Sequence, residues 1–142
     1  MLSIDQHICF AVYSTAHMFN RLYQPMLDKL GITYPQYLVL IVLAHEEQMS
    51  VGALGERLKL ESSTLTPMLK RLEAAGLITR NRAKTDERVV LASLTPAATE
   101  LLKQVPSINV SIADAVGETD TDRETMRKKL IAIRDRLEAA IG

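Results

Sequence analysis

The chain is poor in the residues that covalent and metal chemistry most often needs. Of its 142 residues only one, Cys9, is a cysteine. That excludes an intrachain disulfide and any paired-cysteine metal site, and it suits a reducing cytoplasm. The three histidines, His7, His17 and His45, have no cysteine or carboxylate partners at metal-ligand spacing. No uninterrupted apolar run is long enough to span a bilayer. The N-terminus lacks a basic segment followed by an apolar one, so no secretory leader is expected. There is no nucleotide-binding loop and no carboxylate pair in a cleft-forming context. An enzyme, such as a cysteine peroxidase, is therefore the remotest reading, and no cofactor is expected.

What is present suits one domain over residues 1–142, nearly half of it apolar and so able to bury a core. The net charge of zero hides an asymmetry. Residues 57–88 hold eight Lys/Arg against four acids, +4 for this window and −4 for the rest. A local basic patch on a neutral protein is an electrostatic footprint of DNA binding.

The basic window contains Glu61–Gly76, ESSTLTPMLKRLEAAG. Leu65, Met68, Leu69, Leu72 and Ala75 recur at three- and four-residue spacing and predict one apolar helix stripe. Ser62 or Ser63 is the expected cap. Pro67 is expected within the first turn, where its missing N–H costs little, and Gly76 is expected to end the helix. The opposite face carries Ser63, Thr64, Thr66, Lys70 and Arg71. Alone it reads as a solvated face; with its flanks it suits a DNA major groove.

Those flanks are ordered. Ser50 is placed to cap a helix from Val51 to about Leu58, and Lys59–Glu61 is a tight connection, so two short helices form a helix-turn-helix. After Gly76, the β-prone runs 77–80 and 89–94 enclose a basic tip, 81–88. That hairpin is a wing. Upstream, Ser3–Gln6 fits a capping box for a long helix closed by Gly31, with Pro25 expected to kink or split it. This helix is apolar on more than one side around Cys9–Tyr13, which predicts burial against a second copy. Thr33–Pro35 starts a core helix running to about Ala44. Thr95-Pro96 opens a helix continuing towards Val105 and, with a bend at Pro106, to about Val116. A last helix, about 122–140, carries a stripe of Met126, Leu130, Ile133 or Ile131, Leu137 and Ile141, its start capped by the acidic loop 118–122. The expected fold is mainly α: a winged helix-turn-helix at about 34–95, with a helical dimerisation region formed by the N- and C-terminal helices, about 3–30 and 96–141.

In this order of elements the chain resembles the MarR family of dimeric bacterial transcription regulators, and within it the organic-hydroperoxide-sensing repressors. The residues that carry the likeness are Cys9–Tyr13, Leu27–Leu30, Ile32–Leu38, Thr64–Glu73 and Asp86–Arg88. The resemblance implies a homodimer on double-stranded operator DNA, with Ser63, Thr64, Thr66 and Lys70 in the major groove. It places the wing residues Arg82, Asp86 and Arg88 at the minor groove, with Asp86 orienting Arg88. Ser63 stands where the family often has glycine, a departure that bears on base preference.

Cys9 on its own reads as a small buried hydrophobe. The resemblance makes it a redox sensor whose thiolate accepts hydrogen bonds from Tyr23 and Tyr34, with Tyr13 in support. Cys9 and Tyr23 lie fourteen residues apart on one helix, about 21 Å along its axis. Tyrosines that reach the sulfur must then come from the partner subunit, with the first helices antiparallel. An organic hydroperoxide is the implied inducer, oxidising Cys9 to sulfenic acid. With no second cysteine, the sequel is a mixed disulfide with a low-molecular-weight thiol, or over-oxidation. The competing reading is a regulator of the same family released by a small aromatic or acidic ligand, with Cys9 structural.

Overall fold

Side-chain caps decide where most of the helices begin. A computed structural model describes all 142 residues, in two compact units, Met1–Ile108 and Asn109–Gly142. In the first unit, the Ser3 N–H donates to Gln6 Oε1 at 3.0 Å. It opens only a 3-10 turn, Ile4–Gln6; the helix proper, α1, is Ile8–Asp28. Pro25 neither splits nor ends α1. It removes one backbone donor, but Leu27 just beyond it is fully buried and holds the last turn in place. Gly31, at φ +71°, then closes the helix: its N–H donates to the Asp28 carbonyl and that of Ile32 to Leu27, the glycine-terminated pattern that satisfies the last free carbonyls.

Thr33 and Gln36 exchange reciprocal bonds at 3.3 and 3.0 Å to start α2, Tyr34–His45. Within α2, Tyr37, Val39, Leu40 and Leu43 are buried, and the helix packs against α1 and against the elements that follow it. Ser50 Oγ accepts the Ala53 N–H at 3.1 Å, so α3 is Val51–Leu58. Lys59 takes a left-handed conformation, φ 57°, and turns the chain into α4, Ser62–Ala74.

Two local expectations for α4 are corrected. Its N-cap is Glu61, with no side-chain cap bond, because Ser62 and Ser63 are already inside the helix. Pro67 therefore lies in the second turn, where it deprives the Ser63 carbonyl of its helical donor. An interior proline costs on the order of 3 kcal/mol. Leu65, Met68, Leu69 and Leu72 on the opposite face are all buried, each contributing roughly 1.5–3 kcal/mol relative to exposure, and they outweigh it.

The chain then makes β2, Ile78–Arg82, and β3, Val90–Leu94, paired antiparallel with Ile78 opposite Leu94 and Arg82 opposite Val90. A two-residue strand, β1, Met49–Ser50, adds to the other side of β3, giving the order β1-β3-β2. Pattern reading had missed β1, which is too short to show alternation. Thr95 accepts from the Ala98 N–H and donates to the Gly76 carbonyl at 2.6 Å, so the cap of α5, Pro96–Leu101, is also tied to the end of α4. A 3-10 turn, Leu102–Gln104, precedes α6, Val105–Val116, so the break expected at Pro106 falls just before it.

In the second unit Thr119, rather than the acidic residues around it, caps α7, Asp120–Ile141, by accepting the Asp122 N–H at 3.1 Å. Asp120 and Asp122 lie in its first turn, where carboxylates favour the positive end of the helix dipole. Leu130, Leu137 and Ile141 are exposed. No helix is long and apolar enough to cross a membrane.

Candidate nucleic-acid interface and cysteine–tyrosine site

The far face of α4 is polar. Ser63, Thr64, Lys70 and Arg71 are exposed and Thr66 is half-buried, all opposite the leucine stripe that fixes the helix to the core. The helix stops in a full glycine-terminated cap, with Gly76 at φ +76° donating to Glu73 at 2.9 Å and Leu77 donating to Leu72 at 3.0 Å. The wing thus leaves α4 in a fixed direction.

Glu73 and Arg80 make that direction rigid. One Glu73 oxygen accepts the Arg80 backbone N–H and the other accepts the Arg80 guanidinium, both at 3.1 Å. These bonds hold the Glu73 carboxyl below its ordinary pKa of 4.5. Arg80 was legible in the sequence only as one charge among eight. Its seven-residue separation from Glu73 spans a turn, so no helical or strand period could have paired them.

At the wing tip, the Ala83 N–H donates to the Val89 carbonyl at 2.8 Å and the Val89 N–H to Asp86 at 3.0 Å. Asp86 Oδ1 accepts the Arg88 backbone N–H at 3.0 Å and Nε at 3.2 Å, while Oδ2 accepts Nη2 at 3.2 Å. The guanidinium bonds foremost, with the backbone bond second, lower the Asp86 pKa. The pair is outward-facing: the Arg88 side chain is 91% exposed. Arg82 braces the tip from the other strand, donating Nη1 to the Glu87 carbonyl at 2.7 Å. Between wing and α4 lies a cleft of about 410 Å3, lined by Ser50, Ser62, Thr66, Arg80, Arg88 and Val90 among others. Hydroxyl-bearing residues, two arginines and the start of α3 line it, a composition suited to phosphate oxygens.

Cys9 is exposed on α1, so within this chain it is not a buried hydrophobe. Around it Ile8, Val12 and Tyr13 are also exposed. Tyr13 meets the His17 ring edge-on at 5.0 Å. Tyr23 lies near the other end of the same unbroken helix, so the chain does not bring Cys9 and Tyr23 together. It does bring Tyr23 and Tyr34 together, with ring centroids 4.7 Å apart. A third ring, Tyr37, lies 5.7 Å from Tyr23 and 6.1 Å from Tyr34. Tyr37 is also a core side chain, 4% exposed; the signal for the cluster was the three-residue spacing of Tyr34 and Tyr37, which sets them on one helix face. Burial, then the neighbouring Tyr34 and Tyr37, pushes the Tyr23 phenol up to about 12, and burial also raises Tyr34 and Tyr37. All three stay protonated at neutral pH and can donate hydrogen bonds. Beside Tyr34 is a cleft of about 290 Å3, lined by Asn20, Gln24, Leu27, Ile32 and Pro35 among others.

Comparison with known proteins agrees with this architecture. The family model described as transcriptional regulator SarA/Rot matches residues 21–105. The HTH-type transcriptional regulator TtmR of Methylorubrum extorquens is 44% identical over 99% of this chain and 72% of its own length. The organic hydroperoxide resistance transcriptional regulator of Bacillus subtilis is 40% identical over 96% of this chain and 92% of its own. Among solved structures, reduced AbfR bound to DNA superposes with a TM-score of 0.81 at 32% identity, covering 95% of this chain and 92% of that one. Three strands laid against two short helices, and sequence kinship along nearly the whole chain, thus lead to one conclusion: the protein belongs to the MarR/SarA family of winged-helix transcriptional regulators.

Proposed function

We propose that the protein is a homodimeric repressor that binds operator DNA when Cys9 is reduced and releases it when an organic hydroperoxide oxidises Cys9. The observation that carries this reading is the placement of the lone cysteine. Cys9 is exposed beside the exposed apolar side chains Ile8 and Val12, about 21 Å along α1 from Tyr23, whose phenol is held protonated. The name of the Bacillus relative supports the choice of inducer.

Two α1 helices laid antiparallel bring each Cys9 to the partner's Tyr23 when they cross midway between those residues, at Ala16. A small side chain there suits a close crossing. The exposed apolar residues on that side of α1, among them Ile8 and Val12, are covered in such a pair, at a gain of about 25 cal/mol per Å2 of apolar surface removed from water. The exposed stripe of α7 is a second surface for the same dimer.

In the reduced dimer, Tyr23 and Tyr34 of one subunit donate to the Cys9 sulfur of the other and favour its thiolate. The thiolate attacks the outer peroxide oxygen. An S–O bond forms, the O–O bond breaks, and the alkoxide takes up a proton and leaves as an alcohol, so sulfur is oxidised by two electrons and the peroxide reduced by two. The organic substituent has the cleft beside Tyr34 to enter. A low-molecular-weight thiol then condenses with the sulfenic acid, releasing water and leaving a mixed disulfide. The added bulk displaces the tyrosines. On DNA, Ser63, Thr64, Thr66 and Lys70 enter the major groove, and the Arg88 fork, held by Asp86 beside Arg82, enters the minor groove, where an arginine reads width and negative potential.

Fluorescence anisotropy on the protein's own promoter DNA, before and after one equivalent of an organic hydroperoxide, tests this. Wild type should release the DNA and Cys9→Ser should stay bound. Release from Cys9→Ser as well, or binding that ignores peroxide in both, sinks the sensor role and points instead to an aromatic or acidic ligand.

A further inference from the structure

We infer that Tyr37 is a positioning residue for the sensing chemistry: its ring, lodged against both Tyr23 and Tyr34, fixes their ring planes and so the directions in which their O–H groups are offered to the sulfur. The inference rests on the peroxide-sensing reading above and adds a residue to it.

The three rings form a closed triangle. Tyr23 comes from α1; Tyr34 and Tyr37 come from the same face of α2. Each ring touches the other two, at 4.7, 5.7 and 6.1 Å, with interplanar angles of 45°, 47° and 27°. The three differ in exposure. Tyr23 and Tyr34 are half-buried, whereas Tyr37 is only 4% exposed. Tyr37 thus forms the floor on which the other two rest.

A floor is needed because the last torsion of a tyrosine is soft. Rotation about the bond to the ring has a broad, roughly two-fold profile, so the plane of the ring is set by packing; the phenolic oxygen lies on that axis and stays in place, but its O–H bond keeps to the ring plane, so packing sets the direction in which the proton is offered. Tyr34 is the first residue of α2 and gains little restraint from what precedes it. With Tyr37 replaced by an aliphatic chain, the ring planes of Tyr23 and Tyr34 lose a flat neighbour each and sample a range of directions. Two donors that are no longer held in direction stabilise the reacting thiolate less, and its oxidation slows. The hydroxyl of Tyr37 is not needed for this role; the ring is.

The experiment is the rate of Cys9 oxidation by cumene hydroperoxide as a function of pH, measured on the intact dimer for wild type, Tyr37→Phe, Tyr37→Leu and Tyr23→Phe. DNA affinity of each reduced variant shows that the fold is kept. Tyr37→Leu should slow oxidation at neutral pH about tenfold. Tyr37→Phe should track wild type. If Tyr37→Leu does not fold, Tyr37→Met, ringless but of similar volume, is held to the same values. A ringless variant with the wild-type rate and profile, while Tyr23→Phe is slowed, overturns the inference and leaves the sensing reading intact. A Tyr37→Phe protein as slow as the ringless one also overturns it, because the hydroxyl and not the ring would then act. Wild-type Cys9 that does not react at all overturns the sensing reading and this inference with it.

Discussion

Alkaline pH should destabilise this protein through one small group of side chains. Tyr23 is raised from 10.0 to about 12, a difference of about 2.7 kcal/mol between its two protonation states. Tyr23 is only half-buried, and solvent screening reduces what reaches stability to roughly 1 kcal/mol. Its folded value lies above its unfolded one, so the contribution is whole below pH 10.0, where the phenol is neutral in both states. It is lost as pH rises from 10.0 to about 12, where the unfolded chain ionises first. With a urea slope of about 1–3 kcal/mol/M, that corresponds to a fall in the unfolding midpoint of roughly 0.3–1 M across this interval. Tyr23→Phe should lack most of the fall. Ultraviolet difference absorbance, which reports phenolate directly, should show in wild type a last ionisation near pH 12 that Tyr23→Phe lacks. If every phenol of the folded protein ionises near pH 10, the rings are not shielding one another, and the stability argument built on their burial fails.

Other expectations concern the DNA-facing side and its supports. Arg88→Ala should weaken operator binding by about 1–3 kcal/mol in an anisotropy titration and leave the melting temperature where it was, since the Asp86–Arg88 pair is exposed; unchanged affinity removes the wing from the interface. Gly55→Ala should cost about 1–3 kcal/mol of stability by thermal denaturation, because its new Cβ would stand 2.9 Å from the Leu60 carbonyl oxygen, backbone that cannot move without disturbing the turn between α3 and α4. Glu73 has a folded pKa below 4.5, so its bonds to Arg80 stabilise the fold above that pH and are lost as pH falls through the lowered value. Glu73→Gln should be less stable than wild type at neutral pH, with the gap closing in acid; a constant gap would deny the carboxylate its part.

Where a segment's own chemistry decides its structure, the sequence was a sufficient guide. Ser50 before an apolar helix, Gly76 after one, and Thr95-Pro96 each act within a few residues, and α3 and the end of α4 fall where those signals put them. Pro25 and Pro67 show the limit of the same reasoning. A proline's local cost is real, but Leu27 in one case and Leu65, Met68 and Leu69 in the other are buried against distant parts of the chain, and that packing outweighs it. The Glu73–Arg80 bonds and the pairing of Met49 with Ala92 are contacts between elements, with no period to betray them. Of the tyrosine site, the residues were visible but their arrangement was not: Tyr23 and Tyr34 meet only because the turn at Gly31 folds α2 back along α1, and that same turn admits Tyr37.

The position of that cluster bears on how a chemical change could reach DNA. Tyr34 and Tyr37 lie at the start of α2, and further along the same helix Val39, Leu40 and Leu43 are buried where α2 packs on α3, α4 and β3. One rigid rod thus ends in the proposed sensor and passes through the core of the winged helix. Close-packed interiors do not absorb a displacement by deforming smoothly; they shift as bodies between discrete packings. The glycine-terminated cap of α4 and the two bonds between Glu73 and Arg80 keep the helix and wing of one subunit moving together. A push on Tyr34 would therefore change the placement of a whole DNA-binding head and leave its shape alone. In the proposed dimer, where two heads would meet half-sites about 34–36 Å apart, a small rotation of each would be enough to take them out of register, and no part of the reading surface would have to unfold.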